Sequence, residues 1–221
     1  MRIISEKLIR SLGITPRECV AWIYESFKMK NDAQLPAKIS VHPADYDFFT
    51  SMPCLLPSST VCVSDNHTGE TECQYFGIKE VHRIEGAVPS LGSDMMLYNA
   101  KNGELLALID CDWITTMRTG AVAAVAAKAL RKDSAFVYGF VGLGNTARAT
   151  LLCVLDSEPE MQFRVKLLRY KNQAELFIER FKDYPNVTFT ICDDVKDLIC
   201  TSDVIVSCIT EADGLLCDDD R

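Results

Sequence analysis

The chain has 221 residues, 48% of them hydrophobic and 24% charged, and a formal net charge of −8, which allows a sizeable core in one domain or two modest ones. That charge argues against a nucleic-acid surface, which needs clustered Lys and Arg, and no run of ~18 apolar residues offers a membrane span. Ten scattered cysteines without a C-x-x-C pair, and three histidines without ligand spacing, argue against a disulfide scaffold and against a metal site.

The first residues, "MRIISEKLIRSLG", mix charges into their apolar positions and so lack the apolar core of a signal peptide. A cytoplasmic protein with reduced thiols and small-molecule partners is expected. "TPRECVAWIYESF" then opens a helix of about four turns: Thr15 caps it, Pro16 suits the first turn and Glu18 completes a T-x-x-E capping box. From about 37 to 110 the texture becomes strand-like, in "AKISV", "YDFFTSM", "CQYFGIKEVHRI", "DMMLYNA" and "ELLALID", the last two joined through "KNG". This predicts an antiparallel sheet. "DWITTMRTGAVAAVAAKALRK" predicts a long helix whose alanines permit close packing.

After Lys132 strands and helices alternate: "AFVYGFVG", "NTARATLLCVLD", "FRVKLLRY", "NQAELFIERFKDY", "NVTFTIC", "DVKDLIC" and "SDVIVSCIT". Alternation of this kind specifies a parallel sheet covered on both faces. "FVGLGNTA" ends its first strand and opens its first helix, the position of a dinucleotide fingerprint. There Gly142 permits the tight turn, Gly144 lets backbone approach a pyrophosphate, and the N–H groups of Asn145, Thr146 and Ala147 face an anion, with Ala147 in the place of the third glycine. Where NAD-binding domains carry an acid after the second strand, "LLRYKNQ" offers Arg169 and Lys171 and no carboxylate. Positive charge there suits a 2′-phosphate, so NADP is favoured over NAD.

"MRTGAVAAVAAKAL" followed by "GFVGLGNTA", together with "GIKEV", Met52-Pro53 and "NGELLALID", resembles the ornithine cyclodeaminase and μ-crystallin family over essentially the whole chain. The resemblance implies an α/β protein: an N-terminal α+β substrate-binding and dimerisation domain over residues 1–130, then an NAD(P)-binding Rossmann domain over 131–221. It implies that Lys79 and Arg118 grip a substrate carboxylate, that Lys38 stands where the family has an arginine clamp, that Ser90 falls near the nicotinamide, and that Ser207 and Thr210 belong to a cofactor loop. Thr50 and Ser51 stand where some relatives have a carboxylate, which, with Lys38 and Ser90, weakens the case for ornithine. Relatives are longer, and the alternating region has room for four strands where a complete doubly wound domain has about six. The Rossmann domain is therefore expected to be truncated at its C-terminus, with the family's aspartate for the substrate amino group beyond Arg221.

The activity implied is that of an NAD(P)-dependent ornithine cyclodeaminase-like enzyme acting at the C–N bond of an amino or imino acid, with a homodimer formed through the N-terminal domain. An imine reductase or opine-type dehydrogenase shares nearly all the same residues. An NADPH-binding protein without turnover is the alternative of another class.

Overall fold

The computed structural model describes residues 1–57 and 74–209. Its contacts divide the chain into two compact units, Met1–Ile14 with Tyr24–Thr115 and Thr15–Ile23 with Thr116–Arg221. The texture of the sequence changes at 130; the contacts divide earlier, within the long helix.

The first unit is built on strands β1 (Arg2–Ile4), β2 (Ile39–Val41), β3 (Phe48–Leu55), β4 (Tyr75–Arg83), β5 (Leu91–Asn99) and β6 (Leu105–Asp110), with a short helix α1 (Glu6–Ser11) after β1. Their order is β1-β6-β5-β4-β3-β2. From β2 to β6 all pairings are antiparallel, and the expected meander is present. The sheet is not purely antiparallel, however, because β1 pairs parallel with β6. Three residues are too few to show a period, which is why the sequence hides this strand. The "KNG" hairpin closes with Gly103 at φ +77°, where a side chain would be strained. Register sets the two faces: Thr50, Val81 and Ser93 align across β3, β4 and β5 and are all buried, whereas Phe49, His82 and Gly92 align on the opposite face.

The second unit contains the capping box as the sequence specifies it: Thr15 N–H donates to Glu18 Oε2 at 2.8 Å and Glu18 N–H to Thr15 Oγ1 at 3.2 Å. They start helix α2 (Pro16–Met29), and the long alanine-rich segment is helix α3 (Asp112–Leu130). Then come β7 (Val137–Val141), α4 (Asn145–Ser157), β8 (Phe163–Leu168), α5 (Gln173–Glu179), β9 (Val187–Cys192), α6 (Val195–Cys200) and β10 (Val204–Ser207), the strand and helix alternation expected. All described pairings in this sheet are parallel, in the order β10-β7-β8-β9.

β7 is apolar on both faces, as a strand covered by helices on each side must be. Phe140, Leu151, Leu155, Phe163, Leu167, Phe177 and Phe181 are almost wholly buried around it. Arg131 is held under this core by Glu158, 2.7 Å away, and by the carbonyl of Ala135 at 2.8 Å. Among the described cysteines none is paired, and Cys19, Cys111, Cys153 and Cys192 are buried. Burial pushes the Cys111 thiol up to about 11 and that of Cys153 up to about 12, so both are small core residues and poor nucleophiles at neutral pH.

Candidate functional site

Strands β7, β8 and β9 step in one direction across the sheet, and β10 returns to the other side of β7. Such a reversal opens a crevice at the carboxyl ends of the strands, the usual ligand place in an open parallel sheet. Gly142 and Gly144 lie at that end of β7, Arg169 at that end of β8 and Ser207 at that end of β10. Topology thus brings together residues spread over 66 positions of sequence. Thr210, the other expected member of the cofactor loop, lies outside the described residues.

The two glycines have different reasons. Gly142 has φ +85°, and a Cβ there would sit 2.7 Å from the Cys208 carbonyl oxygen and 2.8 Å from Ile209 Cγ2. The fold itself demands that glycine. Gly144 has φ −78° and ψ −165°, extended backbone open to any residue, and among the described residues a Cβ there would meet nothing within 4 Å. Neither conformation nor packing requires it, and the open space lies over the N-terminus of α4. Being the N-cap, Gly144 offers no side-chain acceptor to the first N–H groups of the helix, so those of Asn145, Thr146 and Ala147 remain oriented for an anion. Ala147 is wholly buried, which a larger residue in the third-glycine place would disturb. These features fit a pyrophosphate.

The end of β8 differs from its sequence appearance. Leu168 pairs with Cys192 of β9, and Arg169 N–H donates to the Cys192 carbonyl at 2.8 Å. That register places Arg169 beside Asp193. The Arg169 guanidinium binds Asp193 Oδ1 through Nε at 2.5 Å and Glu175 Oε1 through Nη1 at 2.7 Å. Two carboxylates, Glu175 six residues on and Asp193 just after β9, therefore occupy this cation. Lys171, in the left-handed region at φ +52°, lays its ammonium 5.2 Å from the Tyr170 ring centroid.

Arg118 occupies the second turn of α3 and has an exposed side chain. The surrounding protein still removes enough water to lower its pKa from the ordinary arginine value by desolvation. An incompletely hydrated guanidinium favours an anionic partner. Its place beyond the first turn leaves little of the helix N-terminal field to add to that attraction.

In the first unit, Lys79 lies on β4 in register with Met52 and Met95. Its Nζ stands 3.5 Å from Thr115 Oγ1. The Ser93 hydroxyl lies 2.9 Å from Thr115 Oγ1 and 3.1 Å from Asp112 Oδ1, which also accepts from Ser93 N–H at 2.5 Å. Lys79 therefore heads a polar chain through Thr115 and Ser93 to Asp112. Sequence reading missed the last three residues, because only the β4–β5 register and the start of α3 bring them to the lysine. Lys38 is exposed immediately before β2, and Ser90 is exposed in the turn between β4 and β5, its carbonyl accepting from Ile84 N–H at 2.8 Å. Among the described residues no cluster of His, Cys, Asp or Glu could hold a metal ion, and no helix is long and apolar enough to cross a membrane.

The class defined by these features is an α/β protein with a Rossmann-type sheet, its glycine corner at the switch point. Residues 10–219 match the ornithine cyclodeaminase/mu-crystallin family, and the chain belongs to that family. It is 29% identical over 130 residues to the ketimine reductase mu-crystallin of Mus musculus, an alignment covering 59% of this chain and 40% of that protein. It is 33% identical over 126 residues to a Delta(1)-pyrroline-2-carboxylate reductase of Colwellia psychrerythraea, covering 57% of this chain and 39% of the relative. Among solved structures it resembles an archaeal alanine dehydrogenase dimer with bound NAD, at TM-score 0.77 and 24% identity over 93% of this chain and 59% of that one. The Thermococcus litoralis Delta(1)-pyrroline-2-carboxylate reductase, solved with NADH and L-proline, gives TM-score 0.77 and 21% identity over 94% of this chain and 61% of that one. At these identities the structural likeness speaks for the fold. The chain spans about two fifths of the length of these curated relatives.

Proposed function

We propose that this protein transfers a hydride between NAD(P) and the α-carbon of a small amino or imino acid, as an imine reductase or amino-acid dehydrogenase. The observation that carries the reading is Gly144, a glycine with no conformational or packing reason, standing at the N-terminus of α4 beside open space. A dinucleotide bound at that corner supplies or accepts the hydride; everything else falls to the residues of the chain. The N–H groups of Asn145 to Ala147 hold the pyrophosphate. Lys79 and Arg118 bind the substrate carboxylate, Arg118 as a fork that fits both oxygens and Lys79 as a point charge. Held at that end, the substrate has one orientation for its α-carbon, which is the entropic part of catalysis. Lys38 adds a further cation for the same carboxylate.

Reduction of a C=N bond needs a single hydride step, whereas cyclodeamination needs an oxidation, loss of ammonia and a second reduction. The relatives named as ketimine and pyrroline-carboxylate reductases favour the simpler reaction. The test is to incubate the protein with NADH or NADPH and Delta(1)-pyrroline-2-carboxylate, and separately with L-ornithine and catalytic NAD(P). Cofactor oxidation in the first mixture supports imine reduction. Proline formed from ornithine without net cofactor turnover selects cyclodeamination, and dinucleotide binding without turnover of either selects a binding protein.

A further inference from the structure

The two carboxylates on Arg169 bear on which dinucleotide the corner prefers. Arg169 and Lys171 bring two positive charges to the end of β8, and Glu175 and Asp193 bring two negative ones. Both acids are on the guanidinium at close range, and the side chains of Arg169, Glu175 and Asp193 are 44%, 52% and 78% exposed. Arg169 is thus reachable by a ligand but already engaged. A 2′-phosphate arriving beside the guanidinium must displace one or both acids, or share the cation with them and meet their like charge. A ribose 2′-hydroxyl meets no such repulsion, and it finds carboxylate oxygens able to accept its hydrogen bond.

We propose that Glu175 and Asp193 set the dinucleotide selectivity of this site, by withholding Arg169 from a 2′-phosphate so that NADH competes with NADPH on at least equal terms. The inference rests on the reading of the glycine corner as a dinucleotide site and adds to it the residues that choose the ribose. It also reverses the preference for NADP that Arg169 and Lys171 suggest when the local sequence is taken alone.

The test measures NADH and NADPH affinities by fluorescence titration of the full chain and of its Glu175→Gln/Asp193→Asn double variant. Both substitutions are isosteric and lie on exposed side chains. The expected result is that the double variant gains about tenfold in affinity for NADPH relative to NADH, the scale for releasing two exposed ion pairs, with NADH affinity nearly unchanged. An unchanged ratio, or equal changes for both, overturns the proposal while leaving the dinucleotide reading intact. Binding of neither dinucleotide by the unmodified chain overturns that reading and this inference with it. If the double variant fails to fold, the unmodified chain decides through competition of adenosine 2′,5′-bisphosphate and 5′-AMP against bound NADH. Similar affinities support the proposal, and a preference for the bisphosphate of more than about tenfold overturns it.

Discussion

Gly120 of α3 touches the backbone of α4 at Ala149: a Cβ on Gly120 would lie 2.4 Å from the Ala149 carbonyl carbon and 2.6 Å from Thr150 N. Glycine is poor in a helix interior, costing about 1 kcal/mol relative to alanine. The contact explains why it is here. Two helix backbones approach to a distance no side chain permits, and the neighbouring Ala121 and Ala124 are buried in turn. Gly120→Ala should therefore destabilise the protein despite the gain in helix propensity, by about 1–3 kcal/mol, because backbone cannot yield as a flexible side chain would. Denaturant unfolding gives the answer, and a variant as stable as the parent would refute the close approach.

This packing was half legible in the sequence. The alanines of α3 announced a close neighbour without saying which, and the partner lies across a whole strand. The alternation after Lys132 gave every described element of the second sheet, because continuous apolar runs and capped helices carry strong local signals. In the first unit β1 and α1 were hidden: three and six residues hold too little period to read. The site shows the same limit. Gly142 and Gly144 could be read from their motif, but Asp193 stands 24 residues from Arg169 and meets it only through the register of β8 on β9. The stretch "LLRYKNQ" holds no carboxylate, but Glu175 just beyond it and Asp193 just after the next strand both meet Arg169 on the folded surface.

Gly144 offers a prediction that separates ligand binding from stability. Because a Cβ there meets no atom of the described residues within 4 Å and the backbone is already extended, Gly144→Val should destabilise the protein by no more than about 1–2 kcal/mol, the cost of an apolar N-cap. It should weaken dinucleotide binding about tenfold or more, since the new methyl groups enter the space over the α4 N-terminus. Paired thermal melts and titrations with NADH check both halves. A valine variant that binds as the parent does would remove the glycine corner from the site.

The Arg118 guanidinium, whose pKa the surrounding protein lowers, leads to a kinetic expectation. If it grips the substrate carboxylate, Arg118→Ala should raise the KM for the imino acid steeply and lower kcat, leaving NADH affinity nearly unchanged. Arg118→Lys should recover little, because an ammonium cannot meet both carboxylate oxygens in one plane. Lys79→Ala should act in the same sense. Thr115→Val, which removes the hydroxyl beside Lys79 Nζ, should cost less than loss of the lysine itself. Steady-state kinetics of the four variants tests the assignment, and parental kinetics in Arg118→Ala would end it.

The outer face of the first sheet supports a prediction about assembly. Register places Ile3, Ile39, Val41, Phe49 and Leu108 on one side of it, opposite the face that carries Val81 and Ser93. Their exposures are 77%, 69%, 61%, 38% and 37%, unusual for apolar residues sharing a sheet face. A sheet of alternating strands is stable when both apolar faces are covered, and contiguous exposed apolar surface marks an interaction site more often than chance. A second copy of the same face is the simplest cover, since a twofold axis makes one patch complementary to itself. We therefore expect a homodimer formed through this sheet. Val41→Asp sets a charge on the exposed side of edge strand β2, beside Ile39 and Phe49, without touching the buried face, and it should weaken the dimer about tenfold or more. Sedimentation of the parent and of Val41→Asp at micromolar concentration decides the matter: a monomeric parent, or a variant that dimerises as well as the parent, would place the interface elsewhere.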